Sequence, residues 1–243
     1  SGESRGLTML RREIRAARKR TKGVLGVNIM TAVSDFQAAA KTAAEEEIDI
    51  IFSGAGLPLT LPECLASGSR TKLVPIVSSA KAAKLIARRW MSTYGYPPDA
   101  FVLEGPKAGG HLGFSEEQIE DPAYQLQVLL PQVVEEAQRI GRESGKKIPV
   151  IAAGGIYTGA DIAEMLALGA AGVQMATRFV ATEECDADEA FKKAYIQCRK
   201  EDIAIIQSPV GMPGRAIRNA FLGEAKEGKR HPEICRNNCI TPC

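Results

Sequence analysis

Short unbroken apolar runs alternate along this chain with longer stretches in which apolar positions recur every three or four residues. The runs at 24–30 (VLGVNIM), 48–52, 72–77, 100–103, 148–152 and 172–175 predict six strands. The stretches at 7–21, 35–47, 80–91, 124–144 and 160–168 predict helices, with a short one near 62–66. Gly23 stands where the first helix should stop, and Ser34 where the second needs an N-cap. Strands and helices that alternate with short connections require a parallel sheet with helical crossovers. Strands that are apolar nearly end to end belong in a sheet buried on both faces. The pattern alone leaves two architectures open. One is a six-stranded doubly wound sheet; the other is an eight-stranded barrel of which this chain carries six strands. After 175 the alternation ends. Segments 188–200 and 212–222 read as helices around an apolar run at 203–207. Residues 1–180 are therefore read as the sheet domain and 181–243 as a C-terminal helical extension packed on it.

Composition narrows the function classes. The 243 residues are 45% hydrophobic and 25% charged, as expected of an ordinary globular protein. A net charge of +2 gives no reason to propose nucleic acid or an acidic membrane as partner. No apolar run reaches the roughly 18 residues a membrane span needs, and residues 1–22 are too charged for a secretory signal. The cysteines form no disulfide framework, so a reducing, cytoplasmic setting is expected. His231, Cys235, Cys239 and Cys243 recur every four residues and would suffice in number for a tetrahedral zinc site. Pro232 and Pro242 argue against one helical face carrying all four, so free thiols and no metal are expected.

Three segments carry chemistry. In AAGGIYTGAD (152–161), two glycines follow a strand and precede a helix, which suits close approach of a phosphate to backbone amides. Thr158 and Asp161 have capping-box spacing. In GAAGVQMATR (169–178), the next strand ends in small residues and a threonine. Two consecutive phosphate-ready strand ends match the phosphate site that many barrels place after strands seven and eight. In EGPKAGGHLGF (104–114), His111 follows a strand end, where catalytic residues of such folds sit. An imidazole is a general-base candidate near neutral pH, and the flanking glycines let a flat ring lie against the backbone.

Taken together, GVNIM (26–30), EGPKAGGHLG (104–113), PVIAAGGI (149–156) and GAAGVQMATRF (169–179) resemble the nitronate monooxygenase (2-nitropropane dioxygenase-like) family, to which enoyl-acyl-carrier-protein reductase II is related. The likeness continues through SPVGMPGRAIRN (208–219). It implies an FMN-binding (β/α)8 barrel. It also implies two strands ahead of the GVN strand, roughly 45 residues or more, that this chain does not contain. By the same resemblance Asn28 lies near the flavin ring, Gly109 under its edge, and Glu104 stands where many monooxygenases have Gln. Gly154 and Gly155 would hold the phosphate together with Gln174, Met175, Ala176 and Thr177, with Ala176 replacing the usual Gly. His111 matches the catalytic histidine. The implied activity is oxidation of nitroalkanes or nitronates with O2. The alternatives are NAD(P)H-dependent reduction of an enoyl thioester, which Glu104 favours, and a non-catalytic barrel fragment. The expected partner is a small-molecule substrate, and a homodimer is left open.

Overall fold

The computed structural model describes residues 4–208 and 211–229. The chain opens on α1 (Arg5–Arg20), capped by Ser4, whose Oγ accepts from the Leu7 amide. Its basic last turn lies at the negative end of the helix dipole. There follow β1 (Gly26–Met30), α2 (Phe36–Glu45), β2 (Ile50–Gly54), β3 (Lys72–Val77), α3 (Ala80–Tyr94), β4 (Phe101–Glu104), β5 (Gly110–His111), α4 (Glu116–Glu120) and α5 (Leu126–Ser144). The chain continues through β6 (Val150–Ala153), α6 (Gly159–Ala167), β7 (Gly172–Gln174), α7 (Thr177–Val180), α8 (Glu189–Gln197), β8 (Ile203–Gln207), β9 (Pro213–Ile217) and α9 (Ala220–Lys226).

The six apolar runs form one parallel sheet in the order β1-β2-β3-β4-β6-β7. The sheet curls into a half-barrel, six of the eight strands of a (β/α)8 barrel. Strand alternation separates two faces. Ile51, Leu73, Phe101, Leu103 and Ala152 join one core with Ala40, Ala43, Ile86, Trp90, Leu130 and Val133 of the covering helices. Val74, Val102 and Ala153 form a second cluster on the opposite, concave face, with Ile50, Phe52, Ile76 and Ile151 packed against it.

At the N-terminal edge of the strands, Asp99 accepts from the Leu73 amide (2.8 Å), from Lys146 Nζ (2.6 Å) and from the Tyr96 hydroxyl. Burial works to raise its pKa, but these donors outweigh it and hold the carboxyl below the usual carboxylate range. This edge of a barrel contributes stability, whereas chemistry belongs to the other.

Three local readings change. Asp35, not Ser34, occupies the N-cap of α2 and makes no side-chain capping bond. The short helix expected near 62–66 is a 3-10 helix over Leu61–Cys64. Within 212–222, Pro213–Ile217 is strand rather than helix. β9 pairs antiparallel with both β8 and the short β5, and only from Ala220 does the chain turn helical. The extension after 180 thus contains a hairpin as well as helices. No helix among the described residues is long and apolar enough to cross a membrane.

Candidate functional site

The C-terminal edge of the sheet gathers the glycine-rich segments. β6 ends at Ala153 and β7 at Gln174, and these two residues are paired, so 154–156 and 175–177 leave adjacent strand ends. Gly154 and Gly155 have φ of +93° and +83°, the region that glycine alone enters at no steric cost. A Cβ on Gly154 would lie 2.9 Å from the Gly105 carbonyl oxygen and 3.1 Å from the Ala108 nitrogen; one on Gly155 would lie 2.8 Å from the Lys107 Cβ. The β4 loop is therefore packed directly on the β6 turn, and a side chain at either glycine would displace it.

Among the described residues, the amides of Gly154, Gly155, Ile156, Ala176 and Thr177 donate to no protein acceptor. The next two amides are already occupied: Asp161 Oδ2 accepts from Tyr157 (3.0 Å) and Thr158 (2.7 Å), while Thr158 Oγ1 accepts from the Asp161 amide (3.2 Å). The capping box foreseen at 158–161 is present, and the turn into α6 thereby occupies the amides of Tyr157, Thr158 and Asp161. Free amides that can receive an anion remain in the glycine turn and in the segment after β7.

Pairing also fixes which side chains share the concave face. Asn28 is in register with Phe52, and Glu104 and Gln174 are each in register with Ala153. Phe52 and Ala153 both belong to the concave cluster, so Asn28, Glu104 and Gln174 line that face. Asn28 and Gln174 are exposed on the two edge strands, whereas Glu104 is half-buried near the middle of the sheet. Its carboxyl has no hydrogen-bonding partner among the described residues, and burial pushes its pKa up to about 7.

His111 sits half-buried in β5, paired with Gly214 of β9. A Cβ on Gly109 would meet nothing within 4 Å, so the backbone there is open on one side. Of the residues singled out from sequence, Gly109, His111, Gly154, Gly155, Met175 and Ala176 lie on loops or the short strand at this one edge, and Thr177 opens α7 there. Sequence reasoning missed Arg215 of β9, whose Nε donates to the Ala108 carbonyl (3.1 Å) and whose Nη2 donates to that of Pro106 (2.9 Å). The clue was Pro213-Gly214, which suits a hairpin better than a helix. His231, Cys235, Cys239 and Cys243 lie outside the described residues; within these, no group of three or more His, Cys, Asp and Glu side chains could hold a metal ion.

The model of the nitronate monooxygenase family matches residues 8–241. Among curated proteins, the chain is 28% identical over 228 residues to a (3aS,4S,5R,7aS)-5-hydroxy-7a-methyl-1-oxo-octahydro-1H-indene-4-carboxyl-CoA dehydrogenase of Mycobacterium tuberculosis, covering 92% of this chain and 58% of that protein. It is 35% identical over 131 residues to a probable nitronate monooxygenase of Staphylococcus saprophyticus, covering 53% of this chain and 34% of that one. Among solved structures, FabK from Thermotoga maritima superposes with a TM-score of 0.75 at 30% identity, over 92% of this chain and 63% of that one. The chain thus spans less than two thirds of each of these relatives.

Proposed function

The chain belongs to the nitronate monooxygenase family, and from that premise we propose that it works as an FMN-dependent oxidoreductase that oxidises nitronates or nitroalkanes with O2. The observation that carries this reading is the set of unpartnered amides at Gly154, Gly155, Ile156, Ala176 and Thr177, on adjacent strand ends beside the His111 loop. A terminal phosphate fits such a cradle, and the positive φ values with the tight contacts at Gly154 and Gly155 explain why no side chain occupies it. Met175 and the Thr177 hydroxyl complete this holding group. The open backbone at Gly109 accommodates the edge of a flat ring. Asn28, Glu104 and Gln174 offer polar contacts to it from the concave face. FMN held by these residues would supply the redox chemistry between substrate and O2. The protein's own part is proton handling and orientation. His111 takes the proton from the carbon next to the nitro group, or stabilises the charge of a nitronate already formed.

Reduction of an enoyl thioester is the second reading. It is supported by Glu104 and by the thioester in the Mycobacterium relative's name. Purified whole protein given an alkyl nitronate should consume O2 without NAD(P)H. NAD(P)H oxidation coupled to a crotonyl thioester, with no O2 uptake on nitronate, would favour the second reading. Neither activity in flavin-loaded protein would leave a non-catalytic barrel.

A further inference from the structure

We propose that Arg215 is a positioning residue for this site: its guanidinium holds the β4 loop in the shape that presents His111. The inference rests on the proposed role of His111. Ala108, Leu112 and Phe114 anchor the loop in the core, but the stretch between the first two, 109–111, has little of its own to fix it. Glycines stand at 105, 109, 110 and 113. At Gly109 and Gly110 a Cβ would meet nothing within 4 Å, and Gly110 adopts φ +73°. Ordering such backbone costs roughly 1–2 kcal/mol per residue, so the order must come from outside the loop.

It comes from β9. Gly110 and His111 pair with Arg215 and Gly214, and the Leu112 amide donates to the Pro213 carbonyl at 2.8 Å. The Arg215 side chain then reaches back over the loop. Nε donates to Ala108 and Nη2 to Pro106, more than 100 residues earlier in sequence. A planar guanidinium can serve two carbonyls at once, whereas an ammonium is a single point donor. Among the described residues no carboxylate pairs with Arg215, so its donors are directed to loop carbonyls. The stretch it grips is the one packed on the phosphate-ready turn, because Gly105 and Ala108 both abut Gly154. One side chain thus couples the catalytic loop, the hairpin and the β6 turn.

The test uses whole flavin-loaded protein, with Arg215→Ala and Arg215→Lys variants and the same changes in a His111→Ala background. Two readouts are needed. In hydrogen exchange, the peptide covering 105–114 should exchange roughly tenfold faster in Arg215→Ala and to an intermediate degree in Arg215→Lys. In turnover, Arg215→Ala should lose about 10- to 100-fold in kcat per bound flavin, with KM nearly unchanged. Arg215→Lys, or millimolar guanidinium added to the Ala variant, should restore part of the loss. In the His111→Ala background the same change should cost nothing further. Unchanged exchange in 105–114 overturns the proposal, and so does a kcat loss of the same size with His111 absent. Full activity of His111→Ala itself would instead overturn the role given to His111, and the clamp would then stand or fall on exchange alone.

Discussion

Replacing Glu104 by Gln should make the protein more stable at alkaline pH and should remove a specific pH dependence. Glu104 lies near the middle of the concave face, half-buried, with no hydrogen-bonding partner among the described residues. Burial raises its pKa from its ordinary 4.5 to about 7. The folded state therefore binds this proton more tightly than the unfolded state does. The burden is greatest above the folded value, where the carboxylate must be buried charged. It shrinks as pH falls through 7 and vanishes below the unfolded value. At about 1.4 kcal/mol per tenfold change in proton affinity, the burden is at most about 3 kcal/mol at pH 8 and about 1 kcal/mol at pH 5. Because the side chain is partly exposed, we expect a difference of about 2 kcal/mol between these two conditions. That corresponds to roughly 4–8 °C in Tm for a protein of this size. The assay is thermal unfolding of cofactor-free whole protein, wild type against Glu104→Gln, at both pH values. The carboxyls of Asp49 and Asp99 are held below the usual range and that of Glu46 near 2. The stability they add is lost only as pH falls below their ordinary values near 4, outside this window. An equal stability difference between variant and wild type at both pH values would refute the reasoning.

Two further predictions follow from the site. Gly154→Ala should abolish or severely weaken flavin retention, because φ is +93° and the new methyl would sit 2.9 Å from the Gly105 carbonyl oxygen; retention at wild-type level, judged by the visible absorbance of dialysed protein, would count against the phosphate assignment. His111→Ala should lose about 10²–10⁴-fold in rate on a neutral nitroalkane but much less on a preformed nitronate; equal losses on both substrates would reduce His111 to an electrostatic or positioning group.

The sheet was legible because its strands obey a simple rule. A parallel strand covered on both faces must be apolar throughout, so runs such as 72–77 and 148–152 stand out against the amphipathic helices. The glycine turns were legible because positive φ and close approach leave few alternatives to Gly at 154 and 155. The hairpin was not. RAIRNAFL (215–222) is rich in residues that favour helices, and β9 exists only because β8 and β5 pair with it, a tertiary effect that overrides local propensity. The two-residue strand at His111 has its partner about a hundred positions away, so no local signal announces it. The same holds for Arg215, whose acceptors are Pro106 and Ala108, and for Glu104, whose raised pKa depends on burial that only the folded sheet creates.

The central claim is that the paired strand ends after β6 and β7 hold the phosphate of FMN. The most direct test is to purify the whole protein, release its chromophore by heat and identify it chromatographically. The account predicts FMN, near one equivalent per chain in the wild type and sharply reduced in Gly154→Ala. A colourless wild-type protein that also fails to take up added FMN, or a chromophore that migrates as FAD, would contradict it.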